Sequence, residues 1–205
     1  MLTYEDIAYW YMRLNGFLSL QNFVIHDDIN SNVRTEIDVV GSRLKFRCEN
    51  LSEPMVDDPL ICDSPSFLKV IFAEVKRGKP EVNEAWKKPE NLAKMVRAIG
   101  CAKETKVEIV VQNLLTKGRH ISDDKSIDCQ IAIFAESHYV GKRDLCRISW
   151  KQSLNFIYGR LQKYSVQKMN TSQWPAAGKK LKEFVDESRE FKDFFQIIRG
   201  YATWQ

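Results

Sequence analysis

Residues Phe67 to Val75 form a short, mostly apolar, partly β-branched run, closed off after Lys76 by Arg77-Gly78-Lys79-Pro80. Such a run reads as a buried strand, and the rest of the chain has to be arranged around it. At its end stand Glu74 and Lys76. Successive strand residues point to opposite faces, so a carboxylate and an amine two apart share a face. An acid and a lysine at the end of a buried strand are costly to keep there. A metal ion and a phosphate would offset both.

The spacing alone proves little, because acid-x-Lys occurs four times: Glu74-Val-Lys76, Glu104-Thr-Lys106, Asp123-Asp-Lys125 and Glu190-Phe-Lys192. Context separates them. Glu104 lies in a polar stretch, Asp123 in a loop and Glu190 in a helical pattern. Glu74 and Lys76 end an apolar strand, and a second strand-like run, Arg34 to Gly41, precedes them with Asp38 among β-branched neighbours. An acid so placed needs a partner. The plain alternative is a solvated salt bridge at a strand end.

With 205 residues, 44% of them hydrophobic, the chain can build one sizeable core, and one domain is expected. The five cysteines are odd in number, widely spaced and free of C-x-x-C, which points to reduced thiols in a cytosolic protein. His26, His120 and His138 form no ligand pattern with them. No signal peptide and no membrane-spanning run is evident, so the expectation is a soluble, cytoplasmic protein. The net charge of +4 is mild and permits nucleic-acid binding without requiring it, and lysines dominate from Lys142 to Lys182.

In chain order, Thr3 is an N-cap candidate, with Glu5 and Asp6 in the first turn. Tyr4, Ile7, Ala8, Tyr11 and Leu14 follow at helical spacing, and the helix is expected over roughly residues 4 to 15, ended by Gly16. Leu18 to Ile25 reads as a first strand and Val33 to Gly41 as a second. Residues 46 to 66 break the pattern and read as a long excursion. Pro89 opens a helix with Leu92, Met95, Val96 and Ile99 on one face, closed by Gly100. Lys106 to Leu115 is expected as a fourth strand and Ile127 to Phe134 as a fifth, with His120 in the loop between. Trp150, Leu154, Ile157 and Leu161 trace one long helix, and another begins near Gly178 and runs toward Ile198. The expected architecture is α/β. A helix between strands three and four implies a crossover, making those two strands parallel neighbours.

Phosphodiester hydrolysis needs water activated near neutral pH and negative charge stabilised at the phosphate. Hard carboxylate oxygens holding Mg²⁺ or Mn²⁺ supply both with few protein ligands. Asp38, Glu74 and the carbonyl of Val75 would make such a site, and Lys76 would orient water or stabilise developing charge. Strand Asp38 followed by strand Glu74-x-Lys76, with a helix before and another after, resembles the PD-(D/E)XK, restriction-endonuclease-like nuclease superfamily. Ile37 stands where the proline of that name would be. The resemblance covers about residues 3 to 115. It implies a mixed four-stranded sheet flanked by helices and a Mg²⁺-dependent nuclease activity. It also implies a further acid on the first helix, for which Glu5 is the matching position; Glu5 is equally a good first-turn residue. Gln112 is a weaker candidate.

Lys87, Lys88, Lys94 and Arg97 could contact phosphates, or form a solvated helix face. Tyr9, Trp10 and Tyr11 could stack bases, though helix position favours core packing for Tyr11. The leading reading is a metal-dependent DNA endonuclease of restriction, repair or antiviral defence. It would be one nuclease-like domain over 1–205, with a core of about 3–135 and a helical C-terminal extension of about 146–205. The alternative is a catalytically idle or partner-dependent nucleic-acid-binding or assembly subunit. The aromatic segment from Phe191 to Trp204 must bury itself, against a second copy or a partner protein, or back on its own helices.

Overall fold

A computed structural model describes residues 1–29, 32–50, 52–78, 80–136 and 145–203. Lys79 of the predicted turn, His138 and Trp204 lie outside the described residues. The chain is α/β, built on a mixed six-stranded sheet with helices on both faces.

The first helix, α1 (Tyr4–Leu14), starts as its sequence predicts: the Thr3 hydroxyl accepts from the Asp6 N–H at 3.1 Å, and the Asp6 carboxylate accepts from the Thr3 N–H at 3.0 Å. Two antiparallel strands follow, β1 (Leu18–His26) and β2 (Val33–Leu44), and β2 pairs in turn with β3 (Leu68–Val75). Between β2 and β3 lies the predicted excursion, which contains one short helix, α2 (Pro59–Cys62). Arg160, fully buried, ties this excursion down by pairing with Asp57 at 2.7 Å and Glu49 at 2.9 Å. Arg43 and Arg47 join the same two acids.

After β3 come a short 3₁₀ turn (Glu84–Lys87), α3 (Pro89–Ile99) and α4 (Val107–Lys117). The last of these corrects the sequence reading, which expects a strand over Lys106 to Leu115. Val107, Val110, Val111 and Leu114 are buried, a helical spacing, while the apolar Ile109 points to solvent. That outward isoleucine fills in the pattern and makes a helix look like a run of strand residues. Gly118, at φ 73°, ends the helix in the left-handed conformation.

Two short strands were not foreseen: β4 (Arg119–Ile121), which carries His120, and β6 (Cys146–Ser149). Both pair with β5 (Ile127–Ala135), β4 along its beginning and β6 along its end. β3 does have a parallel neighbour across a helical crossover, but it is β5 (Ile127–Ala135) and not the expected strand over Lys106 to Leu115, which is helix α4. The sheet order is β1-β2-β3-β5-β4, with β6 also on β5, six strands against the four that the resemblance implies.

The chain ends in three helices, α5 (Trp150–Lys163), α6 (Ala176–Glu187) and α7 (Phe191–Tyr201). A single helix running from Gly178 to Ile198 is not what forms. The backbone turns extended at Ser188, whose hydroxyl donates to the Phe184 carbonyl at 2.6 Å. α1, α5, α6 and α7 cover one face of the sheet in a core with Val39, Ile71, Ala73 and Phe134. α3 and α4 cover the other, with Val70, Phe72, Ile131 and Ile133. Phe194 and Ile198 bury themselves in the first core, so the aromatic tail docks on its own helices.

Candidate active site

The site grows from an irregularity in the sheet. The β2–β3 ladder runs from Leu44/Leu68 up to Val39/Ala73 and stops there. β3 continues to Val75 with β5, and β2 continues toward Val33 with β1. The two strands thus part after Val39 and Ala73, leaving Asp38 on one arm of a fork and Glu74 on the other. The Val75 N–H, which would continue the ladder, donates instead to the Asp38 carboxylate at 2.6 Å. The next N–H along, that of Lys76, points the other way and donates to the Phe134 carbonyl at 2.8 Å. In an extended strand the N–H and C=O of one residue face the same edge, so the Val75 carbonyl opens toward the fork.

Two features explain why the strands part here. Asn22, at φ 53°, lies on β1 between the pairs Gln21/Val39 and Phe23/Ile37, which puts it opposite Asp38. Asn is among the few residues that take the left-handed conformation readily. The strand rolls at this point: Gln21 reaches α1 through Asp6, while Phe23 and Ile25 pack into the core under α3. On the other side, fully buried Trp86 lies in that same core with Ile25 and Ile37 and donates its indole N–H to the Glu36 carbonyl at 3.0 Å. The stretch after β3 therefore folds back to hold the departing arm of β2.

Within the fork, Lys76 is ion-paired with Glu74, as their shared strand face predicts. Glu74 is 3% exposed. Burial pushes its carboxyl up to about 7; Asp38 adds to the rise, and bonds from Lys76 and the Asn83 side chain oppose it. Burial likewise pushes Asp38 up to about 6, with Glu36 and Glu5 adding and the Val75 N–H and Lys76 opposing. Two neighbouring carboxyls held partly protonated near neutral pH are short of positive charge.

Glu5, in the first turn of α1, lies close enough to Asp38 to contribute to its rise. One of its oxygens, Oε2, is buried without a hydrogen-bond partner. A buried carboxylate oxygen left without a donor suits a cation or an ordered water better than an empty site. Among the described residues no three Asp, Glu, His or Cys side chains converge as a compact ligand cluster. The fork therefore offers the two carboxylates and one carbonyl foreseen from the sequence, with Glu5 set further out. That donor set, all oxygen, fits a small hard cation that keeps several waters.

The remaining expected site residues fall elsewhere. Lys87 and Lys88 lie at the near end of α3, where Lys87 pairs with exposed Glu84. Lys94 and Arg97 lie up to about 14 Å further along that helix. They pair with Asp28 and Glu104. Gln112 is exposed on α4, not on a strand, and is outside the site. Trp10 and Tyr11 are buried, Trp10 against Trp174 and Tyr11 through its hydroxyl to Asp58 at 2.6 Å, so base stacking is closed to both. Tyr9 is half-buried and accepts from Arg13 at 2.9 Å.

Asn83 and Trp86 are not among the residues the sequence singles out. Asn-Glu-Ala-Trp, seven residues after Lys76, carries a cap signal: Asn83 caps the 3₁₀ turn by accepting from the Ala85 N–H at 3.0 Å.

The chain matches no family model, no curated protein and no solved structure. Among the described residues no helix is long and apolar enough to cross a membrane.

Proposed function

We propose that this protein is a metal-dependent nuclease that hydrolyses phosphodiester bonds at the β2–β3 fork, with DNA as its substrate. The observation that carries the reading is the parting of the two strands, which leaves Asp38, Glu74 and the Val75 main chain facing one gap beside Lys76. The resemblance to the PD-(D/E)XK superfamily and its restriction-endonuclease-like fold belongs to the same proposal, as do a cytoplasmic location and a role in restriction, repair or antiviral defence.

Asp38, Glu74 and the Val75 carbonyl would hold Mg²⁺ or Mn²⁺. Held there, the ion supplies charge stabilisation at the phosphate and a water of lowered pKa. Glu74 and Asp38 give up the protons that burial lets them keep. Lys76 then exchanges its pairing with Glu74 for the attacking water or a phosphate oxygen, and stabilises the charge that develops there. Asn83 keeps Glu74 oriented through the exchange. Lys87 and Lys88, at the near end of α3, carry the flanking phosphates; the exposed pair of Lys87 with Glu84 is weak enough to trade for one.

A second reading, a catalytically idle nucleic-acid-binding or assembly subunit, draws on two observations: Lys76 is paired with Glu74, and no third acid converges on the pair among the described residues. One assay separates the two. Purified protein is incubated with duplex DNA, single-stranded DNA and RNA, in Mg²⁺, Mn²⁺ or excess chelator, beside Glu74→Ala and Lys76→Ala. The nuclease reading expects cleavage that chelator abolishes, that Glu74→Ala abolishes, and that Lys76→Ala lowers by about two orders of magnitude or more. Binding without cleavage under every condition supports the idle subunit. Cleavage by Glu74→Ala at the wild-type rate overturns the site.

A further inference from the structure

The C-terminal end of the chain comes back to the beginning of α1. The Thr203 N–H donates to the Leu2 carbonyl at 3.0 Å, and the Tyr4 N–H donates to the Thr203 carbonyl at 3.2 Å, a parallel bridge between Thr3 and Thr203. The first N–H groups of a helix have no partner within it, and Thr203 supplies an acceptor for that of Tyr4. The residue after Tyr4 is Glu5, the acid whose unpartnered oxygen lies buried near Asp38.

One turn earlier in the tail stands Arg199, which the docking of α7 carries to the end of the sheet where the fork opens. Its guanidinium lies 3.7 Å from Glu136, the residue just past β5, in a pair whose members are 60% and 53% exposed. The β3–β5 ladder ends at the pair Val75 and Phe134, so Glu136 and Arg77, the exposed residue after Lys76, both follow strands that leave the sheet at this end. Burial raises the pKa of the Tyr4 hydroxyl, Glu136 adds to the rise and Arg199 and Arg77 oppose it, so all three charges lie near Tyr4. A loosely paired arginine at a solvated rim is well suited to take a phosphate, because its planar fork matches the oxygens and its existing pair is weak.

We infer that the C-terminal segment from Arg199 to Thr203 is a working part of the site: Thr203 fixes the start of α1 and with it Glu5, and Arg199, beside Arg77, holds a backbone phosphate next to the one being cut. This rests on the nuclease reading for the phosphate but not for the strap. It moves part of the nucleic-acid contact from the far end of α3 to the tail. Arg199 is then a binding residue and Thr203 a positioning residue.

The test uses the full chain with Arg199→Glu, Thr203→Pro and, as a charge control away from the rim, Arg189→Glu. Binding to a labelled DNA duplex, with single-stranded RNA in a parallel arm, is measured in chelator over a range of salt. The expected result for Arg199→Glu is a loss of roughly tenfold in affinity and a salt slope lower by about one, while Arg189→Glu keeps the wild-type slope. Thr203→Pro removes the N–H donated to Leu2. It should speed hydrogen exchange at the Tyr4 amide at least about tenfold and lower turnover while leaving nucleic-acid affinity unchanged. Wild-type affinity and slope in Arg199→Glu overturn its role, and unchanged exchange at Tyr4 in Thr203→Pro overturns the strap. A wild-type protein that neither binds nor cuts either nucleic acid overturns the nuclease reading and the phosphate role together, while the exchange measurement still decides the strap.

Discussion

Glu74 shows most clearly how a single residue can couple the fold to its chemistry. A carboxyl whose pKa rises on folding binds its proton more tightly in the folded state, so it favours folding at low pH and loses that advantage as pH climbs through the folded value. For Glu74 the window runs from its ordinary 4.5 to about 7. Glu74→Gln removes the titration. Relative to wild type, the variant should therefore gain on the order of 1 to 3 kcal/mol between about pH 4 and about pH 8 in metal-free buffer. Denaturant unfolding at the two pH values measures this, and a difference independent of pH would mean that Glu74 is not held in the protonated form. Glu5→Ala separates a site residue from a helix-start residue. As a first-turn acid it is worth only a few tenths to about 1 kcal/mol and should leave turnover alone. The buried, unpartnered oxygen instead leads us to expect a large loss of rate with little change in melting. Unchanged turnover would remove Glu5 from the site.

At the scale of elements, the sequence was informative wherever periodicity and end signals agreed. α1, α3 and the first three strands follow from Thr3, Pro89, Gly100 and the alternation around Asp38. α4 imitates a strand in the sequence because Ile109 turns an apolar side chain to solvent, and β4 and β6, of three and four residues, are too short to carry a period. The fork itself was invisible. Asn22 at φ 53° is one residue in an otherwise regular strand, and the reach of Trp86 to Glu36 spans fifty residues that no local pattern connects. Close approach between elements was equally hidden. A Cβ built on Gly178, in α6, would lie 1.8 Å from the Trp10 ring of α1. Gly178→Ala adds helix propensity worth about 1 kcal/mol. The clash should outweigh it and leave the protein about 1 to 3 kcal/mol less stable. A more stable Gly178→Ala protein would show that α6 does not pack on Trp10 in this way.

Across the whole molecule, the excursion between β2 and β3 is held by a charge network as well as by the burial of Ile61. Arg160 is fully buried and meets Asp57 and Glu49, which also receive Arg43, Arg47 and Lys168. Removing one partner from such a buried network leaves the others uncompensated, so Arg160→Ala should cost about 3 to 5 kcal/mol, measured by denaturant unfolding. The buried Lys69–Asp128 pair at 2.9 Å, with Gln130 and Arg119, anchors β3, β5 and β4 at the end of the sheet opposite the fork. Charge is thus satisfied within the protein at one end of the sheet and left in deficit at the other, where Asp38 and Glu74 lie. That deficit is the basis for the central claim, that the fork is a divalent-cation site. Calorimetric titration with Mn²⁺ near pH 8, where both acids are ionised, measures it directly. The expected result is one site in the wild type, lost in Asp38→Ala and in Glu74→Ala and kept in Lys76→Ala. A titration that shows no binding to the wild type, or equal binding to all four proteins, would contradict the claim.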